Sequence, residues 1–503
     1  MADIADRHSG DLDGILRPMG ESRLPVVGIR VSPHHAELAS TQHTAWMLIN
    51  LLARAVGVVD RVVIECDSDA RVQGRVVPLA PESEVLAEAL LRGSRAVGGV
   101  QCGAGSVGDS ATVIVEVGPG EAPEVGFRAY GSGWWGGISR EPLRLVDSPL
   151  PFGPYAAACL AAARVFFVSR ALTVPPFTAA GYSMWRLEAV SAPVEPEGWG
   201  EIPPGLGALS TGLAGCGAVG TSWLHAVWAT PGLRGGILIA DPDPEGVTET
   251  NLNRYPLFGQ ADVGSPKTEA AQRSTRGMDV RIDPHTERIE VLPSRPPFII
   301  SAVDTNAARQ AIQSQYPARL LQASTHGVRA EVLRCDPTSG GACIRCFADP
   351  ESDLPDLEYR KRFLAMSRGD QQALAHQMGL SIEDATQWAV EGECGHAVDE
   401  LLRHLRATES GPPAFAVGFV SVMAGTMLAA QTTRELAGLS EPFDGLRCRA
   451  VITLLDPTAV TNRVGAFQRD PACPLCRPGS PGMHIWRARF DGRGTASSEG
   501  LHR

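Results

Sequence analysis

The chain is short of every feature that would tie it to nucleic acid, a membrane or the extracellular space. Basic residues are in deficit: 45 Lys and Arg stand against 56 Asp and Glu, a formal charge of -11, so no basic footprint exists for a phosphate backbone. The N-terminus carries Asp3 and Asp6 and no apolar core, so it does not read as a secretory leader, and a cytoplasmic protein is expected. Long hydrophobic runs are also missing. The one extended uncharged apolar stretch, residues 415–431, falls short of the ~20 residues a span needs and is rich in Ala and Gly, which reads as a packed core helix. Cysteine is odd in number, 11 in 503 residues, which argues against a disulfide-stapled scaffold.

What is present is an ordinary globular composition, 44% hydrophobic and 20% charged, in a chain long enough for two to four domains. Residues 1–23 read as a flexible lead-in. A β-branched run, Pro25-Val26-Val27-Gly28-Ile29-Arg30-Val31, then predicts a strand, residues 44–56 repeat apolar positions at helical spacing, and Arg61-Val62-Val63-Ile64-Glu65-Cys66 predicts a second strand. A Pro- and Gly-rich connector over 193–208 marks a boundary. Beyond it the same order returns: a strand at 209–214, a helix at 222–229 and a strand at 236–240. Residues 111–116 correspond to 297–301, and 154–168 to 413–430. The expectation is an α/β protein of two related halves. The first, 24–192, has lost its chemistry. The second, 209–352 and 413–478, is interrupted by a charged, helical-looking insert at 353–412 and followed by a tail at 479–503.

Gly215-Cys216-Gly217-Ala218-Val219-Gly220 is a G-x-G-x-x-G run between the strand and the helix, where bare glycines let backbone N–H groups approach phosphates. About twenty residues on, Ala240-Asp241-Pro242-Asp243 ends the next strand, where a carboxylate bonds ribose hydroxyls. Those two features fit any dinucleotide enzyme. Three further segments do not: Glu249-Thr250-Asn251-Leu252-Asn253-Arg254, Asp262-Val263-Gly264-Ser265-Pro266-Lys267 and Ser301-Ala302-Val303-Asp304-Thr305-Asn306. Arg254 and Lys267 can neutralise a triphosphate, and Asp304 can hold magnesium (Mg2+). That set suits nucleotidyl transfer better than hydride transfer.

Taken in this order, the motifs resemble those of the MoeB, ThiF and ubiquitin-activating enzyme superfamily, over roughly residues 209–476. The resemblance implies a Rossmann-like adenylation domain beside a second, degenerate Rossmann-like half, with ATP roles on Gly215, Gly217, Gly220, Asp241, Asn251, Arg254, Lys267 and Asp304. Two departures stand out. The segment from Asp241 to Asn251 is two residues longer than the family's, and Asn306 follows Asp304 only after Thr305. The ribose contact therefore falls on Asp241 or on Asp243. The implied reaction is attack of a substrate carboxylate on the α-phosphorus of ATP.

Two Cys-x-x-Cys pairs, Cys343 with Cys346 and Cys473 with Cys476, offer four thiolates at the spacing of a zinc knuckle, which predicts a closed structural zinc (Zn2+) site. The insert holds one further thiol, Cys394, in Glu393-Cys394-Gly395-His396. The resemblance implies a thioester-forming cysteine in this interval. A helix start and His396 would lower the thiol's pKa, Glu391 and Glu393 would raise it, and a plain free thiol is the alternative. His34 and His35 have no metal-ligand partners at useful spacing and read as a turn.

Four functions share this pattern: activation of a ubiquitin-like protein with a thioester on Cys394 and transfer to a conjugating protein; sulfur-carrier activation; adenylation of a peptide in a natural-product pathway; and a non-catalytic peptide-docking scaffold. The intact cation set argues against the scaffold. The fused degenerate half and the long insert favour the first, with a monomer built as an internal pseudo-dimer, or a homodimer, as the assembly.

Overall fold

The computed structural model describes residues 24–490 apart from 109, 121–125, 144–145, 171–178, 194–199, 348–362, 378–380, 392–416, 440 and 445. Strands β1 (Val26–Val31), β2 (Arg61–Glu65), β3 (Gln101–Ala104), β4 (Val113–Val117), β5 (Gly126–Ser132), β6 (Trp135–Ser139), β7 (Ala179–Ser183) and β8 (Glu188–Ala189) form one sheet in the order β3-β2-β1-β4-β5-β6-β7-β8. Strands β9 (Leu209–Ala214), β10 (Gly235–Ala240), β11 (Val280–His285), β12 (Phe298–Ser301), β13 (Arg319–His326), β14 (Arg329–Cys335), β15 (Arg447–Thr453) and β16 (Val464–Ala466) form a second, in the order β11-β10-β9-β12-β13-β14-β15-β16. In both, the first five positions run parallel and the last three pair antiparallel.

The two sheets thus share order and strand direction throughout, which makes the halves copies of one plan. A local detail repeats too. Asp69 N–H donates to Asp67 Oδ1 at 2.9 Å after β2, and Asp243 N–H donates to Asp241 Oδ1 at 3.0 Å after β10. The turn after β1 does not repeat. Where β9 leads into glycines, β1 leads through Ser32 into a short 3-10 turn, Pro33–His35, closed by Ser32 Oγ and His35 Nδ1 at 2.9 Å. The two histidines sit in a turn, as their setting implied.

The helices are α1 (Ala39–Ala53), α2 (Leu86–Val97), α3 (Phe152–Ser169), α4 (Ala218–Ala229), α5 (Lys267–Ser274), α6 (Asn306–Gln313), α7 (Ile344–Phe347), α8 (Arg368–Gln377), α9 (Ile382–Glu391), α10 (Gly418–Leu436) and α11 (Pro481–Phe490). α1 and α3 of the first half pack against α4 and α10 of the second, and one continuous apolar core runs across the seam. Phe419 on α10 stacks edge-on against Phe166 and Phe167 of α3, with centroids 5.6 and 6.4 Å away. The sequence singled out 415–431 as the one long apolar run. The structure adds α3, which is long and apolar enough to cross a membrane yet is 83% buried inside the protein. Its Arg164 masks that character in a reading that looks for uncharged runs. Gly425 lets α10 approach α4: a Cβ there would lie 2.4 Å from Ser222 Cβ.

Two histidines are sealed into this seam. Tyr155 Oη lies 3.4 Å from His225 Nε2, and the Tyr155 ring meets His43 edge-on at 6.0 Å. Burial pushes His43 down to about 4, against an opposing pull from Asp147, and burial with the neighbouring His43 and Arg54 pushes His225 down to about 3. In an unfolded chain each titrates near 6.5. The unfolded state therefore gains protons first, and stability present above pH 6.5 is lost as pH falls towards 4, by on the order of 3 kcal/mol per histidine. Replacing His225 by Gln is expected to flatten the pH dependence of the urea midpoint between pH 6.5 and 4.5; an unchanged slope would mean the seam does not sense acid through this residue.

Candidate functional site

At the carboxyl ends of β10, β9, β12 and β13 the second sheet opens into a cavity of about 710 Å³, at the point where strand order reverses between β9 and β12. Among the described residues its wall comes only from the second half, between Ala214 and Ser421. The three glycines have different jobs. Gly215 has φ +89°, and a Cβ there would stand 2.8 Å from the Ala302 carbonyl oxygen. A Cβ on Gly220 would stand 2.1 Å from the Gly215 carbonyl oxygen, so both are demanded by the turn itself. Gly217 is different: the first atom its Cβ would meet is the Tyr255 hydroxyl, at an ordinary 3.5 Å. Protein packing does not require glycine there. It lies on the cavity wall beside the open N-terminus of α4, where backbone N–H groups have no side-chain cap.

Asp241 uses both carboxylate oxygens to brace this turn. One accepts from Cys216 N–H at 2.6 Å and the other from Asp243 N–H. Asp243, 35% exposed, pairs with the Lys267 ammonium at the start of α5. Partial burial pushes the Asp243 carboxyl up, but the Lys267 bond and charge and the Glu245 N–H outweigh it and hold it below its ordinary range. For Lys267, burial pulls down and Tyr255, Asp243 and Asp241 together push up, with a net rise. Lys267 is firmly a cation.

Arg254 lies on the same wall, with Nη1 donating to Asn253 Oδ1 at 2.9 Å. Tyr255 sits under both cations: the Arg254 guanidinium is 5.6 Å and the Lys267 ammonium 5.7 Å from its ring centroid. Asp304, exposed at the end of β12, also faces the cavity. Of the expected ATP residues the structure gathers Gly215, Gly217, Asp241, Asp243, Arg254, Lys267 and Asp304 on one wall. Gly220 stands behind it. So does Asn251, whose Oδ1 accepts from Thr248 N–H at 3.1 Å and closes the short turn Glu249–Asn253.

The four paired cysteines come together although 130 residues separate the pairs. Cys343 Sγ lies 4.0 Å from Cys346 Sγ and 3.7 Å from Cys473 Sγ, and Cys346 Sγ lies 3.5 Å from Cys476 Sγ. All four thiols fall within 4.8 Å of one another. Tetrahedral zinc with ~2.3 Å bonds sets its sulfurs ~3.8 Å apart, whereas a disulfide needs ~2.0 Å, so the set fits a metal and not two bridges. A metal would take the set as thiolates, and its positive charge is what would let four of them sit this close together. α11 covers the cluster through Trp486, whose Nε1 donates to Pro317 O at 2.8 Å.

The sequence model of the ThiF family matches residues 205–475. The chain belongs to the ThiF family. It is similar over most of its length to an uncharacterized protein, y4jF, of Sinorhizobium fredii, 27% identical and covering 86% of this chain and 85% of that one. A shorter match is to human ubiquitin-like modifier-activating enzyme 7, 35% identical over 133 residues, 23% of this chain and 13% of that enzyme. Among solved structures, Escherichia coli MccB covers 56% of this chain and 68% of its own at 17% identity and a TM-score of 0.38.

As a ThiF-family member the protein is an adenylating enzyme in kind. The sequence motifs missed Tyr255 and Arg309 on the cavity wall, and the neutral hydroxyls of Ser324, Thr325 and Ser421. Tyr255 had one signal, its place directly after Arg254. Cys394 lies outside the described residues, while the described parts of the insert, α8 and α9, are helical as expected.

The cysteine cluster is expected to bind one zinc per chain, and chelation or Cys473→Ser to lower the thermal midpoint, because a structural metal contributes directly to folding free energy. Metal analysis of purified protein that finds no bound zinc would remove the assignment.

Proposed function

We propose that this ThiF-family chain uses ATP to adenylate the C-terminal carboxylate of a ubiquitin-like protein or peptide. The observation that carries the reading is the wall itself: Lys267 and Arg254 sit over one aromatic ring, beside the open space at Gly217 and the uncapped start of α4. In this reading the substrate carboxylate attacks the α-phosphorus, the bond to the bridging oxygen breaks, and pyrophosphate leaves with the electron pair. Its growing charge falls to Lys267, Arg254 and the N–H groups of the Gly-rich turn, donors that line one cavity. Asp304 fits one magnesium ion as its single carboxylate, and the ion would screen phosphate charge. Lys267 leaves Asp243 when it turns to phosphate, and Asp243 Oδ2, unlike either oxygen of the committed Asp241, is then open to the ribose, while Oδ1 stays with Glu245 N–H.

For a ubiquitin-like substrate the Cys394 thiolate would next attack the acyl carbon, expel AMP and hold the product as a thioester for a conjugating protein. Fusion of two halves of one plan supports an internal pseudo-dimer as the working unit. A peptide substrate needs no thioester, and the hydroxyls of Ser324, Thr325 and Ser421 on the cavity wall suit either substrate.

Lys267→Ala and Arg254→Ala are each expected to slow ATP–pyrophosphate exchange about a hundredfold, roughly 3 kcal/mol of lost charge stabilisation, with the fold intact. Exchange at the wild-type rate in either variant would remove the phosphate-cage assignment. Cys394→Ala should exchange normally but lose a reductant-sensitive adduct with the carrier. Persistence of the adduct, or its absence from an actively exchanging wild type, would hand the reading to the peptide substrate.

A further inference from the structure

The half without a Gly-rich turn still reaches the cation-bearing loop of the other half. Two buried side chains, Asn50 of α1 and Arg54 at its C-terminal cap, cross the seam to do so. Asn50 Nδ2 donates to the Pro256 carbonyl at 2.8 Å. Arg54 Nη1 donates to the Leu252 carbonyl at 2.6 Å and Nη2 to the Phe258 carbonyl at 2.7 Å, while its Nε donates to Asn50 Oδ1 at 2.7 Å and locks the two side chains together. These carbonyls bracket Arg254 and Tyr255, one before them and two after. Gly418 at the head of α10 closes the bracket from the other side: a Cβ there would lie 3.2 Å from the Asn253 carbonyl oxygen.

We infer that Arg54 and Asn50 are positioning residues for Arg254: the half without a phosphate site holds residues 252–258 so that the guanidinium and the Tyr255 ring face the cavity in a fixed geometry. The inference rests on the adenylation reading above and gives the first half a part in it. The loop has no regular secondary structure over Arg254–Phe258 to set its own course, whereas α1 is a buried helix and a rigid anchor. The side chain also has to be arginine. A planar fork reaches two carbonyls and an amide at once, which a lysine ammonium on a flexible stem does not. Another arginine crosses the same seam without touching the loop. Arg75 donates to the carbonyls of Thr230, at 2.9 Å, and Gly277, at 3.2 Å, and neither acceptor lines the cavity. It supplies the control.

The test is a double-mutant cycle on full-length protein, read as ATP–pyrophosphate exchange with candidate C-terminal tails, alongside thermal midpoints. Arg54→Met should cut exchange at saturating ATP by about tenfold to a hundredfold in the wild-type background, the cost of misplacing a reacting group by a fraction of an ångström to one ångström. In an Arg254→Ala background it should cut exchange by less than about twofold, since two residues acting through one group are not additive. Arg54→Lys should fall between, and Arg75→Met should lower the thermal midpoint without changing exchange. Should Arg54→Met fail to fold, Asn50→Ala removes a single anchor and is expected to show the same non-additivity. Additive losses, or equal losses in Arg75→Met, would overturn the inference alone; a wild type that exchanges with no tail would overturn it together with the adenylation reading.

Discussion

A guanidinium taken wholly out of water has to be surrounded by acceptors, and Arg54 is such a group. Burial pushes its pKa down to about 9, with Asp262 pulling the other way, so it stays charged near neutral pH and its hydrogen-bond demands stay with it. The acceptors it finds are one side-chain amide and two carbonyls of the other half. Leaving such a charge unpaired costs several kcal/mol. The loop that carries Arg254 therefore cannot drift without exposing that cost, and the seam and the catalytic wall behave as one object. The continuous apolar core across α1, α3, α4 and α10 works in the same direction.

The duplicated sheets show how one plan can be spent in two ways. Each half keeps the reversal of strand order that opens a crevice, and each keeps an Asp-x-Asp turn after its second strand. What separates them is the first turn. β9 runs into glycines that allow Gly215 to reach φ +89° and Gly220 to sit on the Gly215 carbonyl, which leaves N–H groups facing open space. β1 runs into Ser32 and a proline-led turn tied by its own side chains. That turn has no glycines to bring N–H groups towards a phosphate, whereas Asn50 and Arg54 of the same half hold the loop of the other.

Much of this was legible in the sequence, and for a physical reason: glycines, paired cysteines and strand-end carboxylates are residue types with few other uses at those spacings. The four thiols met across 130 residues because two Cys-x-x-Cys motifs have little else to do together. Asp241 and Asp243 could not be told apart on paper, since which one braces the turn depends on where Cys216 N–H points. Asn251 carried the family's motif, and its Oδ1 accepts from Thr248 N–H, a partner that a motif does not name because it fixes residue type and not side-chain direction. Arg54 was invisible: its partners are carbonyl oxygens, which every residue has, so nothing in residues 252–258 announces it.

If the cavity directs a carboxylate to the α-phosphorus of ATP, the activated tail can be trapped. The direct measurement incubates the protein with ATP, magnesium and a candidate C-terminal tail in the presence of hydroxylamine, and reads the products by mass spectrometry and nucleotide chromatography. AMP and pyrophosphate are expected, with a hydroxamate at the tail's C-terminus, all formed far more slowly by Lys267→Ala. ADP and inorganic phosphate as the nucleotide products, with the tail activated by phosphate instead, would contradict the adenylation reading.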